Sequence, residues 1–247
     1  MEIGWPRELF LIRHAESAGN VARDLALASG ALVINVGSRD CDVPLSPLGE
    51  RQAAALGQWC ARHIDPVDAV LSSPYVRAQQ TSAIALREAG WNDVPIAVDE
   101  RLREKEFGLL DRLTRGGIEQ HYPEQAEMRR VLGKFYYRPP GGESWTDVIL
   151  RLRSLVGTEM REHAGCRIAI VSHQVIVLCF RYLLEALTEE QILAIDAEAD
   201  VANCSVTTYA YDEAKKKLTL RSYNVVAPME EAGEPVTREP DAPVARK

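Results

Sequence analysis

Short apolar runs alternate with longer amphipathic stretches along this chain. Six segments read as strands: residues 8–12, 69–71, 95–98, 167–171, 205–211 and 217–223. Each is brief, apolar and partly β-branched, as a buried strand requires. Helical patterns fill the intervals. Residues 47–63 open with Ser46 as N-cap, Pro47 at the first helical position and Glu50 as capping-box partner. Residues 74–89 open in the same way after Ser73 and stop at Gly90. Residues 144–163 repeat apolar positions at Val148, Leu152, Leu155 and Val156, with Gly165 beyond. Residues 174–186 are apolar nearly all round, which predicts a buried helix. This alternation predicts an α/β layered fold with a mainly parallel sheet, and the last two strands are close enough for a terminal hairpin.

Composition narrows the classes. A chain of 247 residues with 46% hydrophobic positions can bury a sizeable core. A formal net charge of -7 argues against general nucleic-acid or membrane-surface binding, though not against a small basic pocket. No apolar run reaches membrane-spanning length, and residues 1–8 are too polar for a signal peptide. Cys41, Cys60, Cys166, Cys179 and Cys204 are scattered and odd in number, which fits a reducing, cytoplasmic setting. The five histidines lack zinc-ligand spacing, so no metal site is expected. Residues 1–227 read as one domain. Residues 228–247, rich in proline and charge and poor in apolar side chains, are expected to be disordered. Residues 22–41 are a less regular insertion, readable as a helix and a lid loop.

Candidate chemistry sits at strand ends. In an open α/β sheet, ligands bind beyond the carboxyl ends of the strands. The first strand ends at Arg13-His14, another at Ser172-His173, and a third runs into Ser-Ser-Pro, placing Arg77 in the first turn of a helix. The helix dipole does not favour a cation there, and a bound anion would reconcile it. Arg13 and Arg77 therefore read as a phosphate clamp, their guanidinium forks matched to its oxygens. Any one of these residues alone is more often a packing or solvated side chain; the convergence of three strand ends shifts the weight.

At these residues the chain resembles the histidine phosphatase superfamily, also called phosphoglycerate-mutase-like. The Arg-His-Gly signature stands as "RHAESAGN", with Ala15 for the glycine; "SSPxxRAxQT" stands at 72–81, the acidic motif "LREKEFG" at 102–108, "GES" at 142–144 and "VSHQ" at 171–174. The resemblance runs over roughly residues 8–225. It implies a three-layer α/β/α sandwich and a phosphohistidine mechanism. His14 would be the nucleophile; Arg13, Arg77 and His173 would hold the transferring group, with Asn20 and Gln174 as neutral phosphate contacts; Glu104 would be the proton donor, with Glu106 as runner-up. No metal or other cofactor is implied, because positioning and charge stabilisation suffice for the transfer.

The substrate side is less defined. Arg130, Lys134 and Arg138 recur every four residues and, if helical, line one face. With Glu143, Trp145 and Gln174 this segment resembles the bisphosphatase domain of the bifunctional enzyme that makes and degrades fructose 2,6-bisphosphate, where the cluster binds the sugar and its second phosphate. Two positions differ: Leu178 replaces an arginine and Arg115 a tyrosine, and Arg115 is counted with Arg130, Lys134, Arg138, Glu143 and Trp145 as a candidate substrate contact. The leading expectation is a metal-independent phosphomonoesterase acting on a small phosphorylated metabolite. The alternatives are a cofactor-dependent phosphoglycerate mutase, whose group typically carries a tryptophan where Gly19 stands, and a non-catalytic phospho-ligand-binding module. A small phosphorylated substrate is the one partner expected, with no nucleic acid and no membrane, and a homodimer is left open.

Overall fold

A computed structural model describes residues 4–238. Six strands form one sheet in the order β3-β2-β4-β1-β5-β6. They are β1 (Glu8–Arg13), β2 (Ala69–Ser72), β3 (Ile96–Val98), β4 (Arg167–Ser172), β5 (Val206–Asp212) and β6 (Lys217–Val225). The first four are mutually parallel; β5 pairs antiparallel with β1, and β6 antiparallel with β5, which is the expected hairpin. The helices are α1 (Ala18–Ser29), α2 (Pro47–His63), α3 (Val76–Ala89), α4 (Arg115–His121), α5 (Pro123–Tyr136), α6 (Trp145–Glu162), α7 (Gln174–Glu185), α8 (Glu189–Glu198) and α9 (Ala227–Ala232).

The two-residue period of β1 explains the three layers. Leu9 and Leu11 face a core built with Leu152 and Leu155 of α6, Ile176 and Phe180 of α7 and Ile192 of α8. Phe10 and Ile12 face a second core with Leu56 of α2, Ala78 and Leu86 of α3 and Met229 of α9. A strand buried on both faces reads as a continuous apolar run, as β1 and β4 do.

Four expectations need correction. The 95–98 segment is a strand, but all of Ile96–Val98 is exposed because β3 is the sheet edge. Helix α3 starts at Val76 rather than 74, since the Ser73 hydroxyl is engaged by His173 and Tyr75 N–H instead of capping. Ser46 caps α2 through Gly49 N–H, but its own N–H donates to Glu16 O, so Glu50 closes no capping box. Residues 228–238 are not a loose tail: α9 lies on α2, Met229 is fully buried, and Trp59, Arg62 and His63 all bind the Glu231 carboxylate. The apolar Met and Pro in an otherwise polar segment are enough to dock one turn of helix when α2 offers a face. The rest of the expected tail, 239–247, lies outside the described residues.

The 22–41 insertion resolves into the body of α1, a loop and a short 3-10 turn at Asp40–Asp42. Arg112 ties that loop down through Val36 O (3.1 Å) and Ser38 O (2.6 Å), and Thr114 holds Ala31 O. Among the described residues, no helix is long and apolar enough to cross a membrane. All five cysteines are free thiols.

Candidate active site

Strands β1, β2 and β4 end at one level, because Arg13 registers with Ser172 and Ser72 with Val171. Pairing runs one residue further: His14 N–H donates to Ser172 O (2.8 Å) and Ser73 N–H to Val171 O (3.0 Å). The chain then turns into a common crevice, where the His14 and His173 rings meet edge to face at 5.0 Å.

His14 is buried, and its Nδ1–H donates to Ala15 O at 2.7 Å. That bond sets the tautomer, leaving a lone pair on Nε2. Arg77 Nε donates to this Nε2 at 3.2 Å. Burial first, then the Arg77 and Arg13 charges, hold the His14 pKa well below its ordinary value, so the ring is neutral. His173 is also buried and held neutral, by burial and then by Arg77, His14 and Arg13. Its Nε2 pairs with the Ser73 hydroxyl at 2.8 Å, whereas its buried Nδ1 makes no hydrogen bond with the protein. Leaving such an atom unsatisfied costs about 1–3 kcal/mol, which a ligand oxygen would recover.

Arg13 is buried, with Nη1 donating to Gln174 Oε1 (2.9 Å) and Val201 O (2.5 Å). Gln174, the first residue of α7, also donates to Asp200 (3.3 Å), so its placement is that of a bracket for Arg13. Asn20 gives its Oδ1 to the α1 capping box, accepting from Ser17 N–H (2.9 Å) and Ser17 Oγ (3.0 Å). Glu104 accepts from Lys105 N–H at 2.8 Å and lies on the loop whose carbonyls Arg151 holds. Glu106 accepts the Tyr75 hydroxyl at 3.0 Å.

The substrate-side residues do not behave as one group. Gly133, with φ of 77°, breaks α5, and Arg138 lies beyond its end, so Arg130, Lys134 and Arg138 share no helical face. Arg130 is exposed and pairs with Glu127 of its own helix; Lys134 pairs with Asp196 (2.6 Å); Arg138 pairs with Asp147. Arg115 pairs with Glu119 on the exposed face of α4. Trp145 belongs to the core at 1% exposure, because the first turn of α6 points it inward. Glu143 is locked by Arg151 (2.9 Å) and Arg103 (2.8 Å); burial pushes its pKa up, but Arg151 outweighs it and holds the carboxylate ionised. A periodicity of four in sequence carried no information about the glycine break between these cations.

Two residues escaped the sequence reading. Tyr75 touches three site members: it stacks edge-on with His173 (5.0 Å), underlies the Arg77 guanidinium (4.8 Å) and binds Glu106. Asp40 takes the Arg77 fork with both oxygens, Oδ1 on Nη1 (3.0 Å) and Oδ2 on Nη2 (3.2 Å), and its carbonyl accepts from Nη1 at 2.6 Å. An acidic pair flanking a cysteine in a loop gave no local signal for this. Among the described residues, no group of three or more His, Cys, Asp or Glu side chains is placed to hold a metal ion.

Comparison with known proteins bears on the family and the fold. A 2,3-bisphosphoglycerate-dependent phosphoglycerate mutase of Methylobacterium radiotolerans is 30% identical over 188 residues, 75% of this chain and 82% of the relative. The 6-phosphofructo-2-kinase/fructose-2,6-bisphosphatase of Caenorhabditis elegans is 32% identical over 174 residues, 70% of this chain and 33% of that protein. The fold matches the alpha-ribazole phosphatase of Shigella flexneri with a TM-score of 0.71 at 23% identity, covering 88% of this chain and 96% of the other. It matches Bacillus stearothermophilus YhfR at 0.72 and 24% identity, covering 90% and 98%. Residues 9–224 match the histidine phosphatase superfamily (branch 1), a span that takes in both histidines and both arginines, and the chain therefore belongs to that superfamily.

Proposed function

We propose that this protein is a cytoplasmic, metal-independent phosphomonoesterase that hydrolyses a small phosphorylated metabolite through a phosphohistidine on His14. The observation that carries the reading is the state of His14: neutral, its Nδ1–H tied to Ala15 O, its Nε2 lone pair turned to Arg77 between two buried arginines. In the first step the Nε2 lone pair attacks phosphorus and the ester P–O bond breaks. The leaving oxygen takes a proton from Glu104. The Nδ1–H bond to Ala15 O stabilises the charge that develops on the ring. In the second step Glu104 takes a proton from water, the water oxygen bonds to phosphorus, and the P–N bond returns its electrons to Nε2. Arg77, freed from Asp40, and Arg13 hold the equatorial oxygens, with His173 Nδ1–H as a further donor once Ser73 O–H donates to its Nε2. The Asn20 amide nitrogen completes the set.

A mutase reading uses the same residues and gains support from the named activity of the Methylobacterium relative. Against it, Gly19 presents no indole where the mutase group typically carries a tryptophan. Release of inorganic phosphate in EDTA from p-nitrophenyl phosphate, 3-phosphoglycerate, sugar phosphates and phosphopeptides tests the proposal. Hydrolysis of at least one, lost by on the order of a thousandfold or more in His14→Ala, is the expected result. Full activity in His14→Ala would overturn the mechanism. Interconversion of phosphoglycerates without phosphate release would make the protein a mutase, and neither activity would leave phospho-ligand binding.

A further inference from the structure

The turn that carries His14 is also held by side chains from three other segments of the chain. Asn203 Nδ2 donates to His14 O at 2.8 Å. Asn203 Oδ1 accepts from Thr237 Oγ1 at 3.0 Å, and the same Thr237 oxygen accepts from Gln52 Nε2 at 3.0 Å. Gln52 Oε1 in turn accepts from Glu16 N–H at 2.9 Å. The result is a ring of hydrogen bonds that leaves the backbone at His14 and returns to it at Glu16. Asn203 and Gln52 are 1% and 0% exposed, so water is no ready substitute for either. Two bonds fasten the segment that supplies Thr237: Thr237 O accepts from Asn203 N–H (3.0 Å) and Pro235 O from Gln52 Nε2 (2.9 Å).

We infer that Thr237, supplied by the segment beyond the last strand, is a positioning residue for the nucleophile. Its hydroxyl is the one atom that joins the two amides, donating to Asn203 Oδ1 and accepting from Gln52 Nε2, so it ties Asn203 to Gln52, whose own orientation Glu16 N–H and Pro235 O fix. Asn203 must present its amide nitrogen to His14 O, and Gln52 its oxygen to Glu16 N–H. With the hydroxyl gone, Asn203 Oδ1 loses its donor and its link to Gln52, and the amide can turn away from His14 O, so the His14–Glu16 turn loses that donor. Ala15 O, which sets the His14 tautomer, lies inside that turn. A displacement on the order of 1 Å in a reacting group can cost about a hundredfold in rate.

This inference rests on His14 being the nucleophile, and the test separates the two. Thr237→Val keeps the shape and removes the hydroxyl; Thr237→Ser restores it. With a substrate whose hydrolysis is lost in His14→Ala, Thr237→Val should lower kcat about tenfold or more, with KM within about twofold of wild type and a cooperative thermal transition retained. Thr237→Ser should recover most of kcat. Nitrogen-15 spectra of the imidazoles give a readout that needs no turnover: His14 should show one fixed tautomer with Nδ1 protonated in the wild type, and averaging of both in Thr237→Val. A Thr237→Val enzyme within twofold of wild-type kcat overturns the inference, as does a Thr237→Ser enzyme no better than the valine variant. If the wild type hydrolyses nothing, the function fails on its own, and an unchanged His14 spectrum in Thr237→Val then overturns the positioning role.

Discussion

Asp40 holds Arg77 in the bidentate geometry that a phosphate would use, and the carboxylate side chain is 46% exposed. A phosphate entering the crevice has to displace it and would meet its negative charge. Asp40→Asn should therefore bind inorganic phosphate or vanadate more tightly, by about fivefold, a size limited by solvent screening of a half-exposed pair. Calorimetric titration reads this directly, and in an Arg77→Ala background the effect of Asp40→Asn should vanish. Weaker binding in Asp40→Asn would mean that Asp40 helps to hold the anion. At Glu104 the expectation is a different split: Glu104→Gln should lower kcat about a hundredfold or more with little change in vanadate affinity, since general acid–base catalysis contributes about 10²–10⁴-fold. An unchanged rate would move the proton to Glu106, which Tyr75 already orients.

The element that most directly shapes the site is the amino end of α2. A side-chain carbon added at Gly49 would fall 1.9 Å from Glu16 O, so the helix can approach the His14–Glu16 turn only with glycine there. Ser46 N–H and Ser46 Oγ bind the backbone and carboxylate of Glu16 from the same turn of chain. Gly49→Ala must push α2 from this turn, at a cost of about 2 kcal/mol. That corresponds to a thermal midpoint lower by roughly 4–8 °C for a domain of this size. An unchanged midpoint in differential scanning calorimetry would contradict the close approach. Helix α5 teaches the converse: its cations looked like one binding face, yet Gly133 divides them and each pairs with an acid nearby.

For the molecule as a whole, two buried neutral imidazoles tie stability to pH. In the fold, burial and neighbouring arginines hold His14 and His173 well below 6.5; in the unfolded chain both return to ordinary values. The unfolded state thus binds more protons once pH falls below about 7, and stability falls with it. The contribution is fully present above that range and is lost as pH drops from 6.5 toward the lowered values of the folded rings. Urea midpoints should decline between about pH 7.5 and pH 5.5, where the carboxylates remain ionised, and the decline should be smaller in His14→Gln. A flat profile would show that the rings are not held neutral. Placing α9 and Thr237 against α2 and the His14–Glu16 turn belongs here too, since it joins segments far apart in the chain.

Much of this protein was legible locally. Strands β1 and β4, the long helices α2, α6 and α7 and the terminal hairpin are set by hydrophobic period and turn residues, which act over a few positions. The site core was legible for a related reason: the end of a strand fixes where the next residue stands, so Arg13-His14, Ser172-His173 and Arg77 announced themselves as neighbours of one edge. What the sequence could not decide were contacts between segments far apart in the chain, where no period links the partners. Asp40 on Arg77, Tyr75 beneath it, Trp145 in the core, the exposed edge at β3 and Thr237 under His14 all depend on which surfaces the packed layers bring within hydrogen-bond reach. Those distances exist only after the two cores have closed on the sheet.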